Sequence, residues 1–166
     1  MQSNRERRDD AFAERPNTLP WPPIIYTVTF GLCWMLQGMA PLAALDEALA
    51  LAPKVAGLVL AATGFTLDLA AMSALVRHQT AILPNMPTSA LVSTGVYAYT
   101  RNPIYLGNTI LLIGFAIALR WGWLAIAAPI SMVAVTMLAI QREEKHLAAR
   151  FGDAWGSYAA RVRRWI

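Results

Sequence analysis

The sequence predicts an all-α polytopic membrane protein with four transmembrane helices, a polar pocket at the cytoplasmic face and a C-terminal interfacial helix. Three observations predict it. Of 166 residues, 57% are hydrophobic and only 14% charged, too apolar for an ordinary soluble domain. Long apolar runs alternate with short polar breaks. The basic residues gather in alternate breaks, as the positive-inside bias requires.

The elements follow in order. Residues 1–20 are polar, with Arg5, Arg7, Arg8 and Arg15 set against Glu6, Asp9, Asp10 and Glu14. No apolar core follows there, so this is not a typical signal peptide but a cytoplasmic arm. Residues 21–166 form a single membrane domain. Its first span, about 21–45, carries no charge; Pro22 and Pro23 suit a first helical turn, and Trp21 and Tyr26 suit the membrane interface. A polar break around Asp46 and Glu47 ends near Pro53. The second span, about 55–76, has Asp68 as its only charge, an expensive group at membrane depth that should face a partner or a wet cavity. Thr63, Gly64 and Thr66 would favour close contact with a neighbouring helix.

Residues 104–119 and about 121–140 are the third and fourth spans, an antiparallel hairpin turned at Arg120–Trp123, with Pro129 a candidate kink. The fourth runs without a breaker into Gln141–Arg150, all good helix formers, so that helix continues beyond the bilayer. Phe151-Gly152-Asp153 breaks it. In the tail 151–166, Trp155, Tyr158, Val162 and Trp165 recur at helical spacing with Arg161, Arg163 and Arg164 between them, the pattern of an amphipathic helix on an anionic surface.

Of the fourteen Lys and Arg, four lie in the arm, two (Arg77 and Arg101) around residues 84–107 and six after residue 140. Lys54 and Arg120 occupy the opposite loops. This places both termini in the cytoplasm and makes the net charge of +4 a topological signal rather than one for nucleic acid. Cys33 stands alone, and His78 and His146 are the only histidines, so neither a disulfide nor a metal site is expected.

Between the second and third spans lies PNMPTSALVSTGVYAYTRNPIYLG, residues 84–107. Its prolines forbid one continuous helix. Irregular backbone near a membrane persists where it is buried in protein or lines a cavity. It shares the cytoplasmic side with Arg142, Glu143 and Glu144, which suggests one polar chamber open to lipid and water. A blander account stands beside this. The two glutamates would be a solvated face paired with Lys145 or Arg142, Arg101 an anchor, and Tyr97, Tyr99 and Tyr105 interfacial residues.

The run Leu91-Val92-Ser93-Thr94-Gly95-Val96-Tyr97, then Arg101-Asn102-Pro103-Ile104-Tyr105-Leu106-Gly107, resembles the isoprenylcysteine carboxyl methyltransferase family and the related membrane phospholipid methyltransferases. Phe151-Gly152, Trp155, Tyr158, Arg161 and Val162 match the family's tail. Arg77, Thr80, Pro84 and Pro87 resemble its bacterial branch, and the likeness covers roughly residues 55–166. It implies an integral-membrane, bacterial-type inner-membrane methyltransferase using S-adenosyl-L-methionine, so the polar chamber would be a cofactor pocket. Cofactor contacts would come from Ser89, Ala90, Leu91, Val92, Gly95, Tyr97, Asn102, Pro103, Ile104, Tyr105, Glu143 and Glu144. Catalytic roles would fall to Arg142, Glu143 and Arg101, and Pro84–Pro87 would be a lid or guide. The classical eukaryotic members of the family have His where Asn102 stands, and Asn cannot shuttle a proton.

The acceptor implied is a lipid-borne or prenylated, amphipathic small molecule drawn from membrane lipids, with neither nucleic acid nor metal as partner. Carboxylate O-methylation is favoured. Phospholipid N-methylation is the alternative, and a non-catalytic lipid-binding or scaffold protein is the reading of another class. A nucleotide-phosphate cofactor would want a more basic or glycine-rich loop than this chain has.

Overall fold

The computed structural model describes residues 19, 21–83, 85, 86 and 88–166. The arm over 1–20, save Leu19, therefore lies outside the described residues, as do Pro84 and Pro87 of the suggested lid. The described residues are helical, without strands: α1 (Trp21–Met39), α2 (Ala43–Ala50), α3 (Lys54–Arg77), a 3₁₀ turn (Gly95–Ala98), α4 (Pro103–Leu119), α5 (Gly122–Val135), a π-helical turn (Thr136–Ile140) and α6 (Gln141–Arg161).

Among the described residues, two helices are long and apolar enough to cross a membrane: Lys54–Arg77, and the continuous run Gly122–Arg161 formed by α5, the π turn and α6. Pro103–Leu119 is a shorter apolar helix. Large apolar side chains point outward along these elements, among them Trp34, Val59, Phe65, Ile130 and Met137. Such a surface is costly in water and suits lipid.

The chain forms two compact units. One holds Pro22–Leu69 with Ile104–Val135, the other Ala70–Pro103 with Thr136–Ile166. In the first, α3 and α4 approach through small residues. A Cβ added to Gly57 would lie 2.5 Å from the Ala118 nitrogen, and one on Gly64 would lie 2.5 Å from the Gly107 carbonyl. Only a glycine seam lets two backbones come so near. Gly64 serves the contact that the sequence suggested. Thr63 and Thr66 instead face outward and hydrogen-bond to carbonyls of their own helix. Asp68 is buried against Gly107, and its Oδ1 has no hydrogen-bond partner among the described residues.

Hydroxyls join α1 to its neighbours in this unit. Tyr26 Oη donates to the Tyr105 carbonyl at 3.0 Å, and Thr29 Oγ1 meets Ser131 Oγ at 2.8 Å. The first helix is shorter than the expected 21–45. Helix α1 stops at Met39, before Pro41, and the expected break at Asp46 and Glu47 is itself helical, in α2. Asp46 explains why: its Oδ1 accepts the Gly122 N–H at 2.7 Å and its Oδ2 accepts Gln37 Nε2 at 2.6 Å. The carboxylate thus caps α5, where helix N-termini leave N–H groups unpaired.

In the second unit α3 ends with Gln79 in the left-handed region at φ 50°. The Gln79 and Thr80 amides return to the Val76 and Leu75 carbonyls, closing the helix in a Schellman motif. Helix α6 bends at Gly152, φ 49° and ψ −122°, as the sequence suggested, and then resumes. Beyond the bend, Trp155, Tyr158 and Val162 are buried and packed with Leu91, Leu147, Phe151 and Ala159. The apolar stripe of the tail is therefore covered by protein, a correction to the expectation that it lies on lipid. The spacing was amphipathic, but spacing does not say what covers the face.

Candidate functional site

The irregular segment before α4 is held from both ends. Thr80 Oγ1 accepts the amides of Ser89 at 3.0 Å and Ala90 at 3.2 Å, while Ser89 Oγ donates to the Gln79 carbonyl at 2.7 Å. His146, fully buried on α6, accepts the Thr88 amide on Nε2 at 3.4 Å. Three consecutive positions, Thr88 to Ala90, are thus fixed by α6 and by the end of α3. Val92 is buried next to them.

Gly95 then takes φ +62°, a left-handed conformation that opens the 3₁₀ turn, and a Cβ there would meet nothing within 4 Å. The need for glycine is conformational rather than steric. Tyr97 in this turn is buried, and its carbonyl accepts the Tyr158 hydroxyl at 2.7 Å. Burial, first, then the neighbouring Tyr158 phenol and the Glu143 carboxylate push the Tyr97 phenol above its ordinary range.

Arg101 is the hub of the remaining polar groups. Its Nη1 lies 3.2 Å from Glu144 Oε1, and its guanidinium sits 5.6 Å from the centre of the Trp155 ring. Glu144 also accepts Arg164 Nε at 3.0 Å and Arg164 Nη2 on its other oxygen. That hydrogen bond, opposed by burial and aided by charge, holds the Arg164 guanidinium above its usual range. Asn102 turns its amide to the Arg164 carbonyl at 2.8 Å, and Pro103 is wholly buried at the first position of α4.

The sequence-derived residues thus fall into two sets. Ser89, Ala90, Leu91, Val92, Gly95, Tyr97, Arg101, Asn102, Pro103, Arg142, Glu143 and Glu144 share one unit. Ile104 and Tyr105 belong to the other, where the Tyr105 carbonyl serves Tyr26. Arg142 is exposed on α6. Sequence reasoning missed Thr80 as the clamp, His146 as a buried acceptor, and Arg164 as the second guanidinium on Glu144. Thr80 and Arg164 were noted only as motif and surface residues. His146 lies three residues after Glu143, on the same face of α6, and that spacing was the signal available for it.

Among the described residues no cluster of three or more His, Cys, Asp or Glu gathers as a metal site. What the fold defines is an all-helical membrane protein with tyrosines, arginines and paired glutamates collected where the irregular segment meets α6. The sequence profile of the phospholipid methyltransferase family matches residues 53–154, and the chain belongs to that family. The match includes every sequence-derived cofactor and catalytic candidate from Ser89 to Glu144, while Trp155, Tyr158 and Arg164 lie beyond it, and it makes the protein a member of a family of membrane methyltransferases. No curated protein and no solved structure matches the chain.

Proposed function

We propose that the protein is an integral-membrane methyltransferase dependent on S-adenosyl-L-methionine, with four spans and with both termini and the cofactor site at the cytoplasmic face of a bacterial-type inner membrane. It would methylate a lipid-borne or amphipathic acceptor. The observation that carries this reading is the joining of Tyr97, Glu143, Glu144 and Arg101 in one unit.

The donor set fits the cofactor. S-adenosyl-L-methionine supplies an electrophilic methyl group on a sulfonium cation. Glu143, beside the buried Tyr97, gives this region a negative charge and an aromatic face, both of which favour a cation. Leu91 and Val92 offer an apolar bed. Methyl transfer is an in-line displacement that asks chiefly for positioning, and a segment pinned through Thr80 and His146 supplies it. Asn102 holds the Arg164 carbonyl and is no proton shuttle.

Carboxylate O-methylation is the favoured transfer, because Arg142 is exposed next to Glu143 and free in geometry to orient an anionic acceptor. Phospholipid N-methylation is the second reading, favoured by the description of the family that the chain matches. The decisive experiment is calorimetry of the full chain in detergent with S-adenosylhomocysteine. The parent is expected to bind, and Tyr97→Ala and Glu143→Ala to bind much more weakly. A parent that does not bind sinks the enzyme reading and favours a non-catalytic lipid-binding role. A screen of lipid extracts with methyl-labelled cofactor then separates the two transfers, since alkali releases labelled methanol from an ester and not from an amine.

A further inference from the structure

We propose that Arg164 is a positioning residue for this cofactor site, acting through Glu144 and the Thr100–Asn102 segment; the idea rests on the reading of the unit just given. After Val162, at φ −114° and ψ 129°, the chain leaves α6 in extended form. It then runs along residues 100–102 as a strap. The Arg101 amide donates to the Arg163 carbonyl at 3.0 Å. Thr100 Oγ1 and Asn102 Nδ2 both donate to the Arg164 carbonyl, at 3.2 and 2.8 Å. Val162, buried with Trp155 and Tyr158, anchors the strap at its start.

The Arg164 side chain completes the arrangement. Its fork takes both oxygens of Glu144, and Arg101 shares one of them. A planar guanidinium bound through two donors fixes the plane of the carboxylate, which a single ammonium cannot do. Arg101 Nε is buried without a hydrogen-bond partner among the described residues, so the pose of that guanidinium depends on Glu144, on Trp155 and on the strap. The two glutamates accordingly divide their work. The Glu143 charge is felt at the Tyr97 phenol, whereas Glu144 is committed to the arginines and shapes the site indirectly.

The test uses the full chain in detergent, with S-adenosylhomocysteine affinity and amide hydrogen exchange as readouts. Arg164→Ala is expected to weaken binding about tenfold, the size of one good charge-assisted contact, and to speed exchange at the Arg101 and Asn102 amides. Arg164→Lys, which restores the charge without the fork, is expected to recover part of the affinity; a lysine variant no better than alanine overturns the proposal. In a double-mutant cycle, Glu144→Gln with Arg164→Ala is expected to bind no more weakly than the weaker single variant, and additive losses overturn it. Should the alanine variant not fold, the lysine variant decides alone: binding at least threefold weaker than the parent supports the proposal, and parental affinity overturns it. If the parent itself fails to bind, the cofactor reading falls, yet exchange still judges the strap: unchanged amides at 101 and 102 overturn it.

Discussion

The hydroxyl of Tyr158 donates to the backbone carbonyl of Tyr97 at 2.7 Å, joining α6 to the 3₁₀ turn across 61 residues of sequence. Both residues are buried, so removing the donor would leave a carbonyl unpaired away from water. Tyr158→Phe preserves the ring that packs edge-on against Trp155 at 5.7 Å. The variant is expected to lose about 1–2 kcal/mol of stability, read as a lower unfolding midpoint in detergent by circular dichroism.

The raised Tyr97 phenol sets an alkaline limit. Its ordinary value is 10.0, and the folded protein holds the proton beyond it because burial and the Glu143 charge oppose the phenolate. The unfolded chain ionises first, so this stability is present in full below pH 10 and is lost as pH rises through the higher folded value. Unfolding midpoints measured from about pH 9 to about pH 11 should therefore fall. Tyr97→Phe should flatten that fall, and an identical slope in parent and variant would refute the assignment.

The α3–α4 seam gives a contrast between glycines. Gly64→Ala would place a methyl 2.5 Å from the Gly107 carbonyl and 2.7 Å from the Leu111 nitrogen, both rigid backbone atoms. The helices must separate, at a cost of about 1–3 kcal/mol. Gly31→Ala on α1 meets nothing within 4 Å. There the better helix propensity of alanine should leave stability unchanged or raise it by about 0.5–1 kcal/mol. Thermal aggregation of the two variants in detergent makes the comparison.

The sequence made much of this fold legible. Apolar runs located α3, α4 and α5, because a helix in lipid must be largely apolar and uninterrupted, and Gly152 marked the bend in α6 because only its backbone conformation ends a run of helix formers cheaply. Local signals did not extend to long-range ones. Asp46 read as part of a loop because its partner, the Gly122 amide, is 76 residues away. Trp155, Tyr158 and Val162 read as a lipid face because amphipathic spacing is the same whether lipid or Leu91 covers it. At the candidate site, the motif residues of one unit were named, but Arg164 was missed: a surface arginine and a clamp on Glu144 look alike until the strap brings them together.

Helix α3 must stop where it does for the candidate site to form, and that stop is made by a non-glycine residue in a left-handed conformation. Gln79 sits at φ 50°, and its carbonyl and its neighbour Thr80 hold Ser89 and Ala90. A side chain in this conformation costs about 1–2 kcal/mol, part of which glycine returns in unfolded-state entropy. Gln79→Gly is therefore expected to stabilise the protein by about 0.5–1 kcal/mol with unchanged affinity for S-adenosylhomocysteine, since Ser89 bonds to the backbone carbonyl of Gln79. Gly95→Ala tests the converse. At φ +62° with open space around the added Cβ, it should cost about 1 kcal/mol through the backbone alone. Gly95→Asn, which tolerates the left-handed region, should recover much of that loss. If alanine and asparagine destabilise equally in chemical unfolding, steric contact rather than conformation governs the turn.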